Sequence, residues 1–300
     1  PAPTLTISEK IGLGWMKKGE FIMNAITKSS SVRGLEVFLE HLQEKNMSDN
    51  TICVYRYAVE QFYRLYPQLT SRNLQLYKVY LLEHYKPQTV NLRLRAINCF
   101  IEDKKLRSSP APMIRIQQKT WLDKIISQAD YEYLKQRLLE DEEMVYYFLV
   151  RLMAATGVRV SELVTFQVGD VHCGFKDLYS KGDKMRRIYI PSNLRKAFFK
   201  WDDFTARTDG ALFLNRFGAP ITPSGIRSRL KTFAARYGLD PEVMYPHSFR
   251  HRFAKNFIEA CGDISLLADL LGHESIETTR IYLRRSSAEQ YRIVNKVVDW

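Results

Sequence analysis

The chain has 300 residues, enough for two domains that each bury a core of their own. Apolar residues make up 45% of it, which argues against a disordered chain, and 45 Lys and Arg against 33 acidic residues leave a formal charge of +12, which points to a polyanionic partner. Apolar runs fall short of the roughly 20 residues that span a bilayer and no basic stretch followed by an apolar one opens the chain, so the expectation is a soluble cytoplasmic protein with no membrane partner.

Residues 1–30 mix Gly, Ser and Lys without a period and are expected to form a flexible lead. From Val32 the pattern turns helical, with Leu35, Phe38, Leu39 and Leu42 recurring at three and four residues. A second stripe, Ile52, Tyr55, Val59, Phe62 and Leu65, predicts a helix capped by Asn50 or Thr51, and two more helices are predicted over 71–84 and 88–103, the latter opening after Pro87. Four helices with short links over 31–106 make a small bundle, on which Lys78, Lys86, Arg93 and Arg95 are candidates to face phosphates. Residues 107–120 break the period with two prolines and extra positive charge, the signature of a linker.

Beyond it, Ser127 to Asp130 is a capping-box variant ahead of a helix carrying Tyr131, Leu134 and Leu138, and a largely apolar helix over 144–156 is expected to be buried. Gly157 interrupts the chain just before Arg159. Residues 177–180 and 185–191 flank Lys181-Gly182-Asp183-Lys184, which predicts a hairpin presenting two lysines at its tip. Helices resume over 193–204, 223–236, 247–260, 264–271 and 275–283, and Arg227, Arg229 and Lys231 on the second of these are candidates for reading DNA. The tail, 286–300, predicts a helix capped by Ser286 or Ser287 with one apolar stripe, Ala288, Tyr291, Val294, Val297 and Val298, in need of a partner surface. Cys53, Cys99, Cys173 and Cys261 form no CxxC pair and are expected to be reduced thiols in the core.

Exchanging a phosphodiester without a metal takes a nucleophile, cationic donors for the non-bridging oxygens and an acid for the departing alkoxide. Arg159 and Arg250 are candidates for the donors, because a planar guanidinium matches two oxygens and stays charged. His247 and Arg250, three apart on a helix, share a face, and Gly272 lets the backbone turn to aim His273 inward. Tyr282 is the candidate phenol; such a group titrates near 10, so a positive field must ease its ionisation. The sequence offers no P-loop and no carboxylate set suited to two magnesium ions, and no cofactor is expected.

Taken jointly, these motifs resemble the tyrosine recombinases of the phage integrase family. Thr156-Gly157-Val158-Arg159-Val160-Ser161-Glu162 matches that family's first arginine box, Lys181 its hairpin lysine, His247-Ser248-Phe249-Arg250-His251 its second box, and Leu271-Gly272-His273 with Tyr282 its final histidine and nucleophile. The likeness covers about 127–285 closely and the 32–103 region more loosely.

It implies a mainly α fold of two domains: an N-terminal four-helix, SAM-like core-binding bundle (31–106), then, past the linker, a mixed α+β catalytic domain (121–285) with a small antiparallel sheet. It also implies site-specific DNA recombination through a 3′-phosphotyrosyl link formed by Tyr282. Lys181 is then the general acid, with Lys184 as its rival. Arg159, Arg250 and His273 hold the phosphate, His247 assists proton transfer and Glu162 orients the cluster. The implied partners are a duplex recombination site, a homo-tetramer on paired sites (a monomer or dimer off DNA) linked by exchange of the 286–300 helix, with docking of that helix on its own domain as the alternative, and an accessory directionality factor; the implied setting is the nucleoid of a prokaryote, or a phage or mobile element. Integration, excision and resolution of a DNA element all use this chemistry. A type IB topoisomerase-like or telomere-resolving enzyme, or an inactive DNA-binding protein, are the competing readings.

Overall fold

A computed structural model of the chain describes residues 34–106, 108–116, 124–180, 184–273, 275–283, 291 and 294–298, the side chains of Ser180 and Lys184 excepted. The expected N-terminal lead, Lys181 at the hairpin tip, and the tail caps Ser286 and Ser287 lie outside the described residues. The chain divides into two compact units, residues 1–118 and 119–300.

Among the described residues the first unit contains four helices: α1 (Leu35–Glu44), α2 (Asp49–Leu65), α3 (Ser71–His84) and α4 (Pro87–Asp103). Their stripes bury Phe38, Leu42, Phe62, Tyr77, Leu81, Leu94 and Phe100 in one core, where Phe38 and Phe100 meet edge to face at 5.2 Å. Pro87 opens α4 at a position where a missing N–H costs nothing. The cap of α2 is Ser48, not Asn50 or Thr51: Ser48 has extended backbone and its Oγ accepts from the Thr51 N–H at 3.3 Å, whereas both expected residues are already helical. Leu65, expected on the buried stripe, is exposed at the end of α2.

Residues 108–116, although proline-interrupted, lie along α4. The Asn98 carboxamide accepts from Ala111 N (2.8 Å) and donates to Ala111 O (2.9 Å), and Asn91 brackets Ile114 in the same way at 2.9 Å on both sides. Two helical turns separate the asparagines, about 10.5 Å, and three extended residues separate their targets, about 10 Å, so the two spacings match.

The second unit contains α5 (Gln128–Glu140), α6 (Met144–Thr156), α7 (Val160–Leu163), α8 (Val168–Cys173), the hairpin β1 (Phe175–Ser180) and β2 (Lys184–Tyr189), then α9 (Ser192–Phe198), α10 (Asp202–Thr205), α11 (Pro223–Tyr237), α12 (Pro246–Cys261), α13 (Ile264–Leu271), α14 (Ile276–Arg280) and a 3₁₀ turn (Ile281–Leu283). The described fold is thus mainly helical with one two-stranded antiparallel sheet, registered from Phe175 opposite Tyr189 to Ser180 opposite Lys184. Ser127 caps α5 as expected.

The helix expected over 193–204 is two: Trp201 takes an extended backbone between α9 and α10 and stacks its buried ring on Phe148 at 4.8 Å. Around α6 gathers the main core, with Leu149, Leu152, Met153, Phe198, Leu230 and Phe249 fully enclosed. The cysteines are not core thiols: Cys53, Cys173 and Cys261 are exposed and Cys99 is partly so. Among the described residues no helix is long and apolar enough to cross a membrane.

Candidate active site

Two glycine turns and a 3₁₀ turn bring the expected residues together. Gly157 closes α6 in the left-handed region (φ 63°), so the chain turns and presents Arg159 in extended backbone just before α7. Glu162, on the first turn of α7, accepts from the Arg159 backbone N–H at 2.9 Å and from Arg159 Nη1 at 2.9 Å. A single carboxylate therefore caps the short helix and aims the guanidinium. Helix α12 is fixed from outside by the Ile126 backbone, whose N–H donates to buried Ser248 Oγ at 2.7 Å and whose carbonyl accepts from Arg252 Nε at 2.8 Å.

Arg250, only 3% exposed, points from the first turns of α12 into the centre. Its Nη1 donates to Gly157 O at 2.6 Å and its Nη2 to Leu271 O at 2.7 Å. Arg159 Nη2 reaches Gly272 O at 3.1 Å. A third arginine joins them: Arg186 of β2 donates to the same Leu271 carbonyl and places Nη2 2.5 Å from Glu162 Oε2. Three guanidinium groups thus converge on the C-terminal carbonyls of α13, the negative end of its dipole, with Glu162 as their shared anion. Burial first, then the charges of Arg159 and Arg186, push Arg250 down to about 10, so it stays charged at neutral pH.

Gly272 (φ 62°) ends α13, and a Cβ there would sit 2.6 Å from Arg186 Cδ. Only glycine allows the arginine to cross at this point. The turn delivers His273, whose Nε2 accepts from Arg250 Nη2 at 3.0 Å and whose Nδ1 then donates to Thr279 Oγ1 at 2.7 Å. Desolvation and the neighbouring arginines hold His273 at about 4, hence neutral.

The 3₁₀ turn carries Tyr282, 7% exposed and packed with Ala254, Leu267 and Leu271. Burial raises its pKa while Arg250 and Arg159 oppose that rise. Its Oη lies 2.9 Å from Nδ1 of His251. His247, at the exposed mouth one turn earlier, has its ring 6.4 Å from that of His251, and its pKa is lowered by partial burial and by Arg250, Arg159 and Arg227.

Arg159, Glu162, His247, Arg250, His273 and Tyr282 are therefore all in one cluster, with Arg186 and His251 added. Both additions had a sequence signal. His251 is four residues from His247, on the same helix face, and Arg186 is two residues from buried Ile188, on the inward side of its strand.

The candidates for DNA contact are placed unevenly. Lys86 and Arg95 are exposed on the first unit, and Arg227 and Lys231 on the second, Lys231 donating to Pro241 O. Lys78 donates to Pro112 O at 2.7 Å. Arg93 lies between the rings of Tyr57 and Tyr85, 4.5 and 4.7 Å from their centroids, and donates to buried Gln61 at 2.5 Å. Arg229 pairs with Glu143 and covers the Phe233 ring at 4.7 Å. Lys184 pairs with Ser180 across the hairpin, and its side chain lies outside the described residues.

Cationic donors grouped beside a buried phenol can bind a phosphodiester and present a nucleophile to it, the apparatus of a DNA strand transferase. Residues 121–289 match the model of the phage integrase family. The chain is 30% identical over 279 residues to tyrosine recombinase XerC of Herpetosiphon aurantiacus, covering 84% of this chain and 90% of the relative. It is 32% identical over 277 residues to that of Roseiflexus castenholzii, covering 83% and 87%. Among solved structures it resembles the Tn1549 transposon integrase in complex with transposon right end DNA, with a TM-score of 0.67 at 16% identity over 88% of this chain and 98% of the other. The chain belongs to the phage integrase family and is a tyrosine recombinase, an enzyme of site-specific DNA recombination.

Proposed function

We propose that this recombinase acts on a duplex recombination site, with Tyr282 Oη attacking the scissile phosphorus to form a 3′-phosphotyrosyl link and free a 5′-hydroxyl. Arg159, Arg250 and His273 hold the non-bridging oxygens, Glu162 orients the arginines and Lys181 protonates the leaving oxygen. His247, exposed at the mouth, assists proton transfer once DNA covers it. The observation that carries the reading is the convergence of Arg250, His273 and Tyr282, from α12, the end of α13 and the 3₁₀ turn, in one partly enclosed cluster.

Relatives in solved structures are bound to DNA recombination sites, among them XerH with its difH substrate, and the charge of +12 suits the same partner here. Tyr291, Val294 and Val297, on the helical tail, are 68%, 54% and 60% exposed, which favours insertion of that segment into a neighbouring protomer of a tetramer. The setting is the cytoplasm and the task is integration, excision or resolution of a DNA element, with an accessory factor setting direction.

The test is strand exchange between paired sites. Arg250→Ala loses on the order of 10²- to 10³-fold in rate, as removal of an oxyanion donor does, and Tyr282→Phe loses all of it, while both still bind DNA. Full activity of either variant refutes the assignment.

A further inference from the structure

The proton of the attacking phenol needs a destination, and the three histidines of the cluster are not equally placed to take it. Both ring nitrogens of His273 are occupied, one by Arg250 and the other by Thr279. His247 stands a helical turn away, its ring 6.4 Å from that of His251. His251 Nδ1 is at hydrogen-bond distance from Tyr282 Oη, 2.9 Å, with ring centroids 5.6 Å apart. The contact joins α12 to the 3₁₀ turn across a spacing of 31 residues, and the apolar cluster of Ala254, Leu267 and Leu271 holds both sides in place.

We infer that His251 is the catalytic base for Tyr282, a role that rests on the reading of Tyr282 as nucleophile. In the resting site the phenol O–H donates to unprotonated Nδ1. As the Oη–P bond forms and the P–O5′ bond breaks, the proton passes from Oη to Nδ1, leaving an imidazolium, and the departing O5′ takes a separate proton from the general acid. When the 5′-hydroxyl of the incoming strand attacks the phosphotyrosine, its proton passes to the general acid that the first step left deprotonated, the Oη–P bond breaks, the proton on Nδ1 returns to Oη, and His251 ends as it began.

The groups facing His251 make this transfer depend on substrate. Burial, then the nearby His247 and Arg250, keep its imidazole at about 4 and therefore free to accept at neutral pH. A bound phosphodiester places negative charge among Arg250, Arg159 and Arg186, offsets their field and raises the imidazole's affinity for a proton where the phenol must release one. The base is thus weak in the empty site and strengthened by the phosphate that is to be attacked.

The probe is a duplex recovered from a random-sequence pool by binding to this protein. Its cleavage position is mapped with wild type, and it is then nicked to trap the covalent complex, with either oxygen or sulfur at the bridging 5′ position. His251→Asn keeps an acceptor for the phenol but cannot take its proton. Covalent capture should slow on the order of 10²-fold with DNA binding and melting temperature preserved. The deficit should persist with the sulfur leaving group, which needs no acid, and should shrink when Tyr282 is replaced by a more acidic fluorinated tyrosine. If His251→Asn perturbs folding, His251→Gln serves in its place.

Capture as fast as wild type overturns the inference, as does a deficit erased by sulfur or untouched by the fluorinated phenol. A covalent complex that persists in Tyr282→Phe would instead overturn the reading of the nucleophile itself.

Discussion

Removing Glu162 should destabilise the second unit and at the same time make it more dependent on anions. The carboxylate carries three interactions: the Arg159 backbone N–H, Arg159 Nη1 and Arg186 Nη2. The pair with Arg186 is the enclosed one, with side chains 13% and 21% exposed, and stranding that arginine costs about 3 kcal/mol. The pair with Arg159, 36% exposed, is screened by solvent and adds well under 1 kcal/mol, and loss of the helix cap adds about 1.

Glu162→Ala should therefore lose about 4 kcal/mol, which for a unit of this size lowers the melting temperature by roughly 8 to 16 °C. Glu162→Gln keeps an acceptor for the backbone N–H and should fall between. Scanning calorimetry resolves the transition of the second unit, and adding inorganic phosphate should raise the melting temperature of Glu162→Ala more than that of wild type, because an anion replaces the missing charge. A melting temperature within a degree of wild type, with no added response to phosphate, would refute the claim that Glu162 holds the arginines together.

Gly272→Ala must place a Cβ against Arg186 at φ 62°, so it should cost about 1 to 2 kcal/mol from the backbone alone and slow covalent capture, both read on the purified variant. Acid should weaken the second unit in a defined window. His251 and His273 sit at about 4 when folded against 6.5 free, so between those values the unfolded chain binds more protons and stability falls as pH drops. Urea melts across that range should show the decline, with a shallower slope in His273→Asn. Replacing Asn91 and Asn98 together by Ala removes four of the bonds that seat residues 108–116, and proteolytic cleavage within 108–116 should speed up while α1 to α4 stay folded.

Periodicity made the four-helix bundle and most of the second unit's helices legible, because one apolar face per helix is what both the pattern and the core express. It failed where a side chain overrules local preference. Trp201 breaks a helix to stack on Phe148, and Ser48 caps α2 because its own backbone is extended, which no count of apolar residues reveals. Arg93 reads in the sequence as a cation facing phosphates, yet its guanidinium lies between two tyrosines that are distant in sequence.

At the site, motif order identified Arg159, Glu162, His247, Arg250, His273 and Tyr282 as a group. The pairwise contacts that organise them were hidden, since Arg186 meets Leu271 across 85 residues and His251 meets Tyr282 across 31. The seat of 108–116 on α4 was equally hidden, because the two asparagines are two turns apart and mean nothing until their targets are adjacent.

The most direct measurement is mass spectrometry of the trapped complex. Wild-type protein incubated with a nicked duplex that it selects, then digested with protease and nuclease, should yield a peptide containing Tyr282 that carries a 3′-linked nucleotide on the phenolic oxygen. A nucleotide on any other residue, or a covalent complex that survives in Tyr282→Phe, would contradict the assignment of the nucleophile.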